Sequence, residues 1–257
     1  MRFVNSPECR IARAIGRRLK SLLTEAETQV SLFGKEILAE VELPDNTSQI
    51  SATDGRMYQS IGPKWHKKDR QNNRIPYRLR NVDTESSWSK SGYRGWVQGY
   101  RLVVQSLVFP ESVPLFAVWR ENSLSEASIL EEELEKRRFQ VTEVNLGDTR
   151  LGDLGLPVKY QEKGGYLLTP NEFSKTRRSW KNDLYEYRRE TIELLFQRII
   201  QAFDLKECQV KGKAKNGVYV IASVWIYQIL FLNNYRNKKP LANVKEQIEK
   251  AHWRIKF

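Results

Sequence analysis

Residues 49–55, QISATDG, alternate polar and apolar side chains up to an aspartate that is followed at once by a glycine. Successive strand residues point to opposite faces, so Ile50, Ala52 and Asp54 share one side and the stretch predicts a short strand ending at Asp54 and Gly55. Residues 139–148, FQVTEVNLGD, repeat the pattern: Asp148 shares its face with Val144 and Leu146, and the strand is expected to end at Gly147 and Asp148. Both aspartates therefore start from an apolar strand face.

Outward from these two stretches, periodicity predicts N-terminal helices over about 7–23 and 25–40, with LPDNTS (43–48) as a breaker before the core. GWVQGYRLVVQSLVF (95–109) and VPLFAVW (113–119) read as two strands turning at Pro110. SEASILEEELEKRR (125–138) reads as a helix with Ile129, Leu130 and Leu134 inward and its glutamates on a solvated face. After 139–148 come a loop with Gly152, Gly155 and Pro157, a short strand in GGYLLTP (164–170), and helices over 179–203 and 217–235. Three strands, a helix, a fourth strand, a fifth and then helices is the order of a mixed five-stranded sheet covered by helices. It fits an α/β, ribonuclease-H-like core, in which carboxylates ending the first and fourth strands lie side by side and a third descends from a helix. The expected division is a helical N-terminal segment over 1–45, a packing element or the remnant of a DNA-binding region, then the core over 46–240 and a tail over 241–257.

The candidate third acid is Glu193, set in RRETIELLFQRII (188–200) among Ile192, Leu194, Leu195, Phe196, Ile199 and Ile200. A buried, unpaired carboxylate is costly, so such a residue takes a cation, a metal ion or an exposed helical phase. Tyr185, Arg189, Phe196 and Ile200 fall on its side of the helix, which puts Glu193 at the edge of the apolar stripe. Two readings stand: an i,i+4 couple with Arg189, or a metal ligand.

The 257 residues carry 43 Lys+Arg against 31 Asp+Glu, a formal net charge of +12 that favours polyanionic partners, nucleic acid before an anionic membrane. Basic stretches at 51–105 and 158–257 flank an acidic one at 106–157. Cys9 and Cys208 stand alone, which argues against a zinc site or a disulfide scaffold. The arginine-rich first 20 residues lack the apolar core of a secretory signal. The apolar run 217–232 falls short of the roughly 20 residues that span a bilayer and reads as a buried core helix. The expectation is a cytoplasmic protein, nucleoid-associated when bound to DNA, with no membrane partner. In GPKWHKKDRQNNRIPYRLR (62–80), Lys64, Lys67, Lys68 and Arg70 surround Trp65, a mixture suited to phosphate contact and base stacking. Arg177 and Arg178, just before the Glu193 helix, are further phosphate candidates. Asp83 reads as a turn or cap residue, and Asp153 is a weaker rival to Asp148.

ATDGRMYQSIGPKWHKKDR (52–70), NVDTESSWSKSGYRGWVQGYRLVV (81–104), LGD (146–148) and RRETIELLFQRI (188–199), in this order, resemble the DDE transposases of bacterial insertion sequences. The likeness runs over about 48–235. It implies a catalytic, metal-binding triad of Asp54, Asp148 and Glu193 holding two Mg²⁺ or Mn²⁺ ions, with Arg189 touching DNA near the cleavage site and Phe196 on the same helix. The implied activity is cleavage at element ends and joining of the 3′-hydroxyl to target DNA. The implied partner is double-stranded DNA, at element ends and target, and a homodimer on paired ends is compatible with it. The alternatives are a truncated, inactive DNA-binding remnant and a ribonuclease-H-like nuclease.

Overall fold

A computed structural model describes residues 7–44, 47–77, 79, 81–92, 94–152, 155–170 and 180–250. Its sheet has six strands: β1 (Ile50–Gln59), β2 (Ser87–Ser91), β3 (Gly95–Leu107), β4 (Val113–Glu121), β5 (Val144–Leu146) and β6 (Tyr166–Leu168). The long β3 organises it. β1 runs antiparallel along one side, from Ser51 opposite Leu107 to Gln59 opposite Gly99, while β2 and β4 share the other side end to end. On its free edge β1 pairs in parallel with β5, and β5 with β6. The path β4-β3-β1-β5-β6, antiparallel and then parallel, is the ribonuclease-H-like sheet, and β2 is an addition to the five strands expected. Its sequence, SWSKS, carries one apolar side chain and so gave no strand signal of its own.

Helices cover both faces. β3 alternates between two cores: Leu102 and Val104 face one apolar cluster, Val103 the other. The first cluster takes side chains from α1 (Pro7–Glu40), α5 (Trp180–Phe203), α6 (Lys213–Arg236) and α7 (Val244–Lys250), and the second from α3 (Glu126–Glu135) and α4 (Leu156–Glu162). A short α2 (Lys67–Gln71) lies in the basic loop. α6 is, among the described residues, the one helix long and apolar enough by length and composition to cross a membrane. It is a core helix here. Gln228 on it donates to Val30 O and Pro114 O, both at 2.9 Å, tying α1 to β4.

Four sequence expectations change. The two N-terminal helices are one: the hydroxyls of Thr24 and Thr28 bond back to Lys20 O and Thr24 O inside a continuous helix, which satisfies them without a break. Strand one does not end at Asp54: β3 supplies partners as far as Gln59, so Asp54 lies mid-strand opposite Val104. The stretch 139–148 is a strand only at Val144–Leu146. Before it the backbone is held by side chains, with Gln140 N donating to Gln105 Oε1 (3.1 Å) and Thr142 N to Tyr160 OH (2.8 Å). Finally, the α3 glutamates are not all solvated. Glu133 is fully buried, bound by Arg120 Nη2 (2.8 Å) and Arg138 Nε (2.6 Å), and Glu126 is largely buried.

Candidate active site

Ala52 opposite Leu146 is the last parallel pair of β1 and β5. Asp54 and Asp148 each lie two residues beyond it, which keeps Asp54 on the face of buried Ala52 and sets both acids where the strands part. β1 continues along β3, while the other chain turns into a 3₁₀ helix at Thr149–Gly152. Each aspartate accepts a hydrogen bond from the next residue's N–H, Asp54 from Gly55 (2.8 Å) and Asp148 from Thr149 (2.6 Å). Burial pushes the Asp54 carboxyl above its ordinary pKa, with Arg188 and the Gly55 N–H opposing it and the charges of Asp148 and Glu193 adding to the rise. Of the three acids singled out in the sequence, Asp54 is thus the one that feels the charges of the other two.

Their neighbours are not the expected ones. On α5, Ile192, Leu195, Phe196 and Ile199 face the core and leave Glu193 outside, its side chain 59% exposed and 3.6 Å from Arg189 Nε. The arginine that reaches the aspartates is Arg188: its Nη2 lies 3.2 Å from Asp54 Oδ1, and its side chain is only 11% exposed. Its guanidinium also lies 5.9 Å from the Tyr185 ring centroid.

Across β1 stands an acid the sequence reading assigned to solvent. Glu126, in the first turn of α3, lies 3.1 Å from Arg101 Nη1 of β3. A Cβ on Gly55 would come within 2.6 Å of Glu126 Oε1, so the glycine after Asp54 is what lets this carboxyl approach the strand. Burial pushes the Glu126 pKa up to about 7; Arg101 opposes the rise, and the charges of Asp54 and Asp148 add to it. A signal existed. Glu126 and Glu133 fall on the same helical stripe as Ile129, Leu130 and Leu134, the face that packs inward.

The donor set is of hard carboxylate oxygens, the chemistry of Mg²⁺ or Mn²⁺. Among the described residues, however, no three His, Cys, Asp or Glu side chains converge closely enough to hold a metal ion. Arg188 stands against Asp54 and Arg101 against Glu126 instead.

In the basic loop, Lys64, Lys67 and Lys68 are exposed and Arg70 is half-buried, 3.9 Å from Glu121. Trp65 is not a stacking surface: it is 3% exposed. Its N–H donates to Gln98 Oε1 (2.7 Å), its indole N–H to Arg74 O (2.9 Å), and its carbonyl accepts from the Trp88 indole (2.6 Å). Exposed aromatics here are Tyr77, 85% exposed, and Trp96, 55% exposed, with Lys67 Nζ 5.1 Å from the Trp96 ring centroid. Asp83 is a buried acceptor for Tyr100 OH, Glu85 N and Gly212 N, the capping role expected of it. Arg177, Arg178 and Asp153 lie outside the described residues.

Sheet order and paired aspartates together define a ribonuclease-H-like α/β domain with an acidic site where its parallel and antiparallel halves meet. No protein-family model matches the sequence, and no curated protein matches it. Among solved structures, the chain is similar to the piggyBac transposase in a synaptic complex with hairpin DNA: TM-score 0.47, 10% identity, 79% of this chain and 51% of that one. It is also similar to the Mos1 transposase in a paired-end complex with the left transposon end: TM-score 0.26, 11% identity, 81% of this chain and 61% of that one. The chain therefore spans about half the length of the piggyBac chain.

Proposed function

We propose that this chain is a DNA transposase of insertion-sequence type, cutting a phosphodiester at an element end and joining the freed 3′-hydroxyl to target DNA. The observation that carries the reading is the placement of Asp54 and Asp148 two residues beyond the Ala52–Leu146 pair, where β1 and β5 part. The family resemblance of the sequence supports it. Bound Mg²⁺ or Mn²⁺ would supply Lewis-acid activation of the attacking water or 3′-hydroxyl and stabilise the leaving oxygen.

Asp54 and Asp148 would hold the ions, and Glu193, exposed on α5 and paired with Arg189, would complete the set by turning toward them once Arg189 turned to a DNA phosphate. Arg188 keeps Asp54 compensated while no cation is bound. Lys64, Lys67, Lys68 and Arg70 supply backbone contacts beside Trp96, whose exposed ring replaces Trp65 as the stacking candidate. Arg177 and Arg178 precede the same helix in sequence and would add to this charge.

A second reading, a DNA-binding protein without cleavage activity, is favoured by the exposed Glu193–Arg189 pair and by the arginine on Asp54. One experiment separates the two. Labelled DNA from both flanks of the coding sequence is incubated with Mg²⁺ or Mn²⁺ and either wild type, Asp54→Asn, Asp148→Asn or Glu193→Gln. Cleavage and joining products made by wild type and lost at least a hundredfold in the variants support the transposase. Salt-sensitive binding by all four proteins without products supports the second reading, and cleavage without joining or preference for flank DNA points to a nuclease.

A further inference from the structure

A cleft of about 580 Å³ opens between β2, β3, the start of α3 and the 3₁₀ helix, lined by Ser89, Arg101, Asn122, Ser123, Glu126 and Arg150 among others. Its position ties it to both aspartates. Glu126 lies against Gly55, the residue after Asp54, and Arg150 is the second residue after Asp148.

Two of its polar groups are buried and incomplete. Arg101 is 4% exposed, and its Nε–H has no acceptor although its Nη atoms reach Glu126 (3.1 Å) and Ser89 Oγ (3.5 Å). Asn122 is 1% exposed; its amide donates to Val97 O at 3.4 Å and its Oδ1 accepts nothing. Buried polar groups rarely stay unpaired without a function, so the cleft offers an unused donor and an unused acceptor to whatever enters it. The charges agree: two guanidiniums, Arg101 and Arg150, line the cleft with one carboxylate, Glu126. An anion carrying a hydrogen-bond donor answers all of these features, and the volume lies within the range of small-molecule sites.

We propose that this cleft is a nucleotide subsite: it takes one nucleotide of the bound strand, the phosphate on Arg101 and Arg150 and a base or sugar N–H or O–H on Asn122 Oδ1. This rests on the transposase reading for its place in the reaction, but its ligand chemistry is independent of cleavage. An arginine pair holding the phosphate next to the scissile one would fix the register of the strand over Asp54 and Asp148.

The test is calorimetric titration of the full chain with thymidine 3′,5′-bisphosphate in EDTA, where no metal chemistry can occur. Arg150 is exposed on a 3₁₀ turn, so Arg150→Gln leaves the core intact, and Lys163→Gln, exposed at the end of α4, controls for diffuse attraction. The expected result is saturable binding, weakened at least tenfold by Arg150→Gln and by Arg101→Lys but less than twofold by Lys163→Gln. Absence of wild-type binding, or equal losses from Arg150→Gln and Lys163→Gln, would overturn the subsite. Arg150-dependent binding by a protein that cuts no DNA in Mn²⁺ keeps the subsite and removes the transposase reading; cleavage without such binding does the reverse.

Discussion

Arg188 stands 3.2 Å from Asp54, while Arg189, the next residue, points outward to Glu193 at 3.6 Å. Successive helical residues are rotated by about 100°, so one position separates a guanidinium in the acidic site from one on the surface. Arg188→Ala leaves the half-buried Asp54 without its cation and is expected to cost ~1–3 kcal/mol. Arg189→Ala removes an exposed i,i+4 pair and is expected to stay within ~0.5 kcal/mol. Urea denaturation of both variants in EDTA measures the difference. Equal losses would mean that Arg188 is as free as its neighbour.

Divalent cations should compete with Arg188 for Asp54. If Asp54 and Asp148 hold Mn²⁺, thermal unfolding shifts upward with its concentration, by ~2.7 kcal/mol when the ion is at a hundred times its Kd. Asp54→Asn and Asp148→Asn should abolish the shift. Because burial raises the Asp54 pKa, protons compete with the metal, and affinity should increase with pH until Asp54 is ionised. A shift that survives in both variants would place the ion elsewhere.

Strand parity was readable because it needs only alternation. Ala52 and Leu146 are buried and paired, and the acids two residues on follow from the period of two. What escaped was decided by tertiary packing. Glu126 and Glu133 are two of four glutamates between 126 and 133, where charge density hid the two that share the apolar stripe. Trp65 lies among lysines, yet its position under Gln98 and Trp88 depends on β2, a strand without an apolar pattern. Choosing Arg188 over Arg189 required the helix phase relative to β1, which sequence spacing alone fixes only to within a residue.

Two tryptophans of the basic region should separate binding from folding. Trp96→Ala removes an exposed ring beside Lys67 and should weaken single-stranded DNA binding by ~1–3 kcal/mol, with stability within ~0.5 kcal/mol. Trp65→Ala empties a buried site and removes the indole hydrogen bond to Arg74 O, and should cost ~3–5 kcal/mol of stability. Fluorescence anisotropy and urea titration on both variants read the two effects. DNA binding unchanged in Trp96→Ala would leave the loop without a stacking role.

Glu133 is the centre of a buried ionic network. It is bound by Arg120 and Arg138, and both of these also reach Glu27 on α1, at 2.6 and 3.7 Å. Truncating one member leaves uncompensated buried charge, so Glu133→Ala should cost ~3–5 kcal/mol. Replacing Glu132, which is 54% exposed and pairs with Lys136, should be nearly neutral. Similar denaturation midpoints for the two variants would show that the network adds little.

Glu126 should make stability depend on pH in a direction opposite to that of an ordinary ion-paired carboxylate. Burial outweighs Arg101 and raises its pKa to about 7 from the ordinary 4.5. The folded state therefore favours the protonated form. That contribution is complete below about pH 4.5 and is lost as pH rises through about 7, with nothing further lost above it. In Glu126→Gln the group is permanently neutral, so its stability should match wild type near pH 4.5 and exceed it by up to ~3 kcal/mol above pH 7, at ~1.4 kcal/mol per pH unit. Urea midpoints of both proteins, taken in EDTA at pH 5, 6, 7 and 8, should diverge between pH 5 and 7 and keep a constant separation from there to pH 8. Parallel curves would mean that Arg101 keeps Glu126 charged throughout, and a wild type that gains on the variant with rising pH would reverse the balance between burial and pairing.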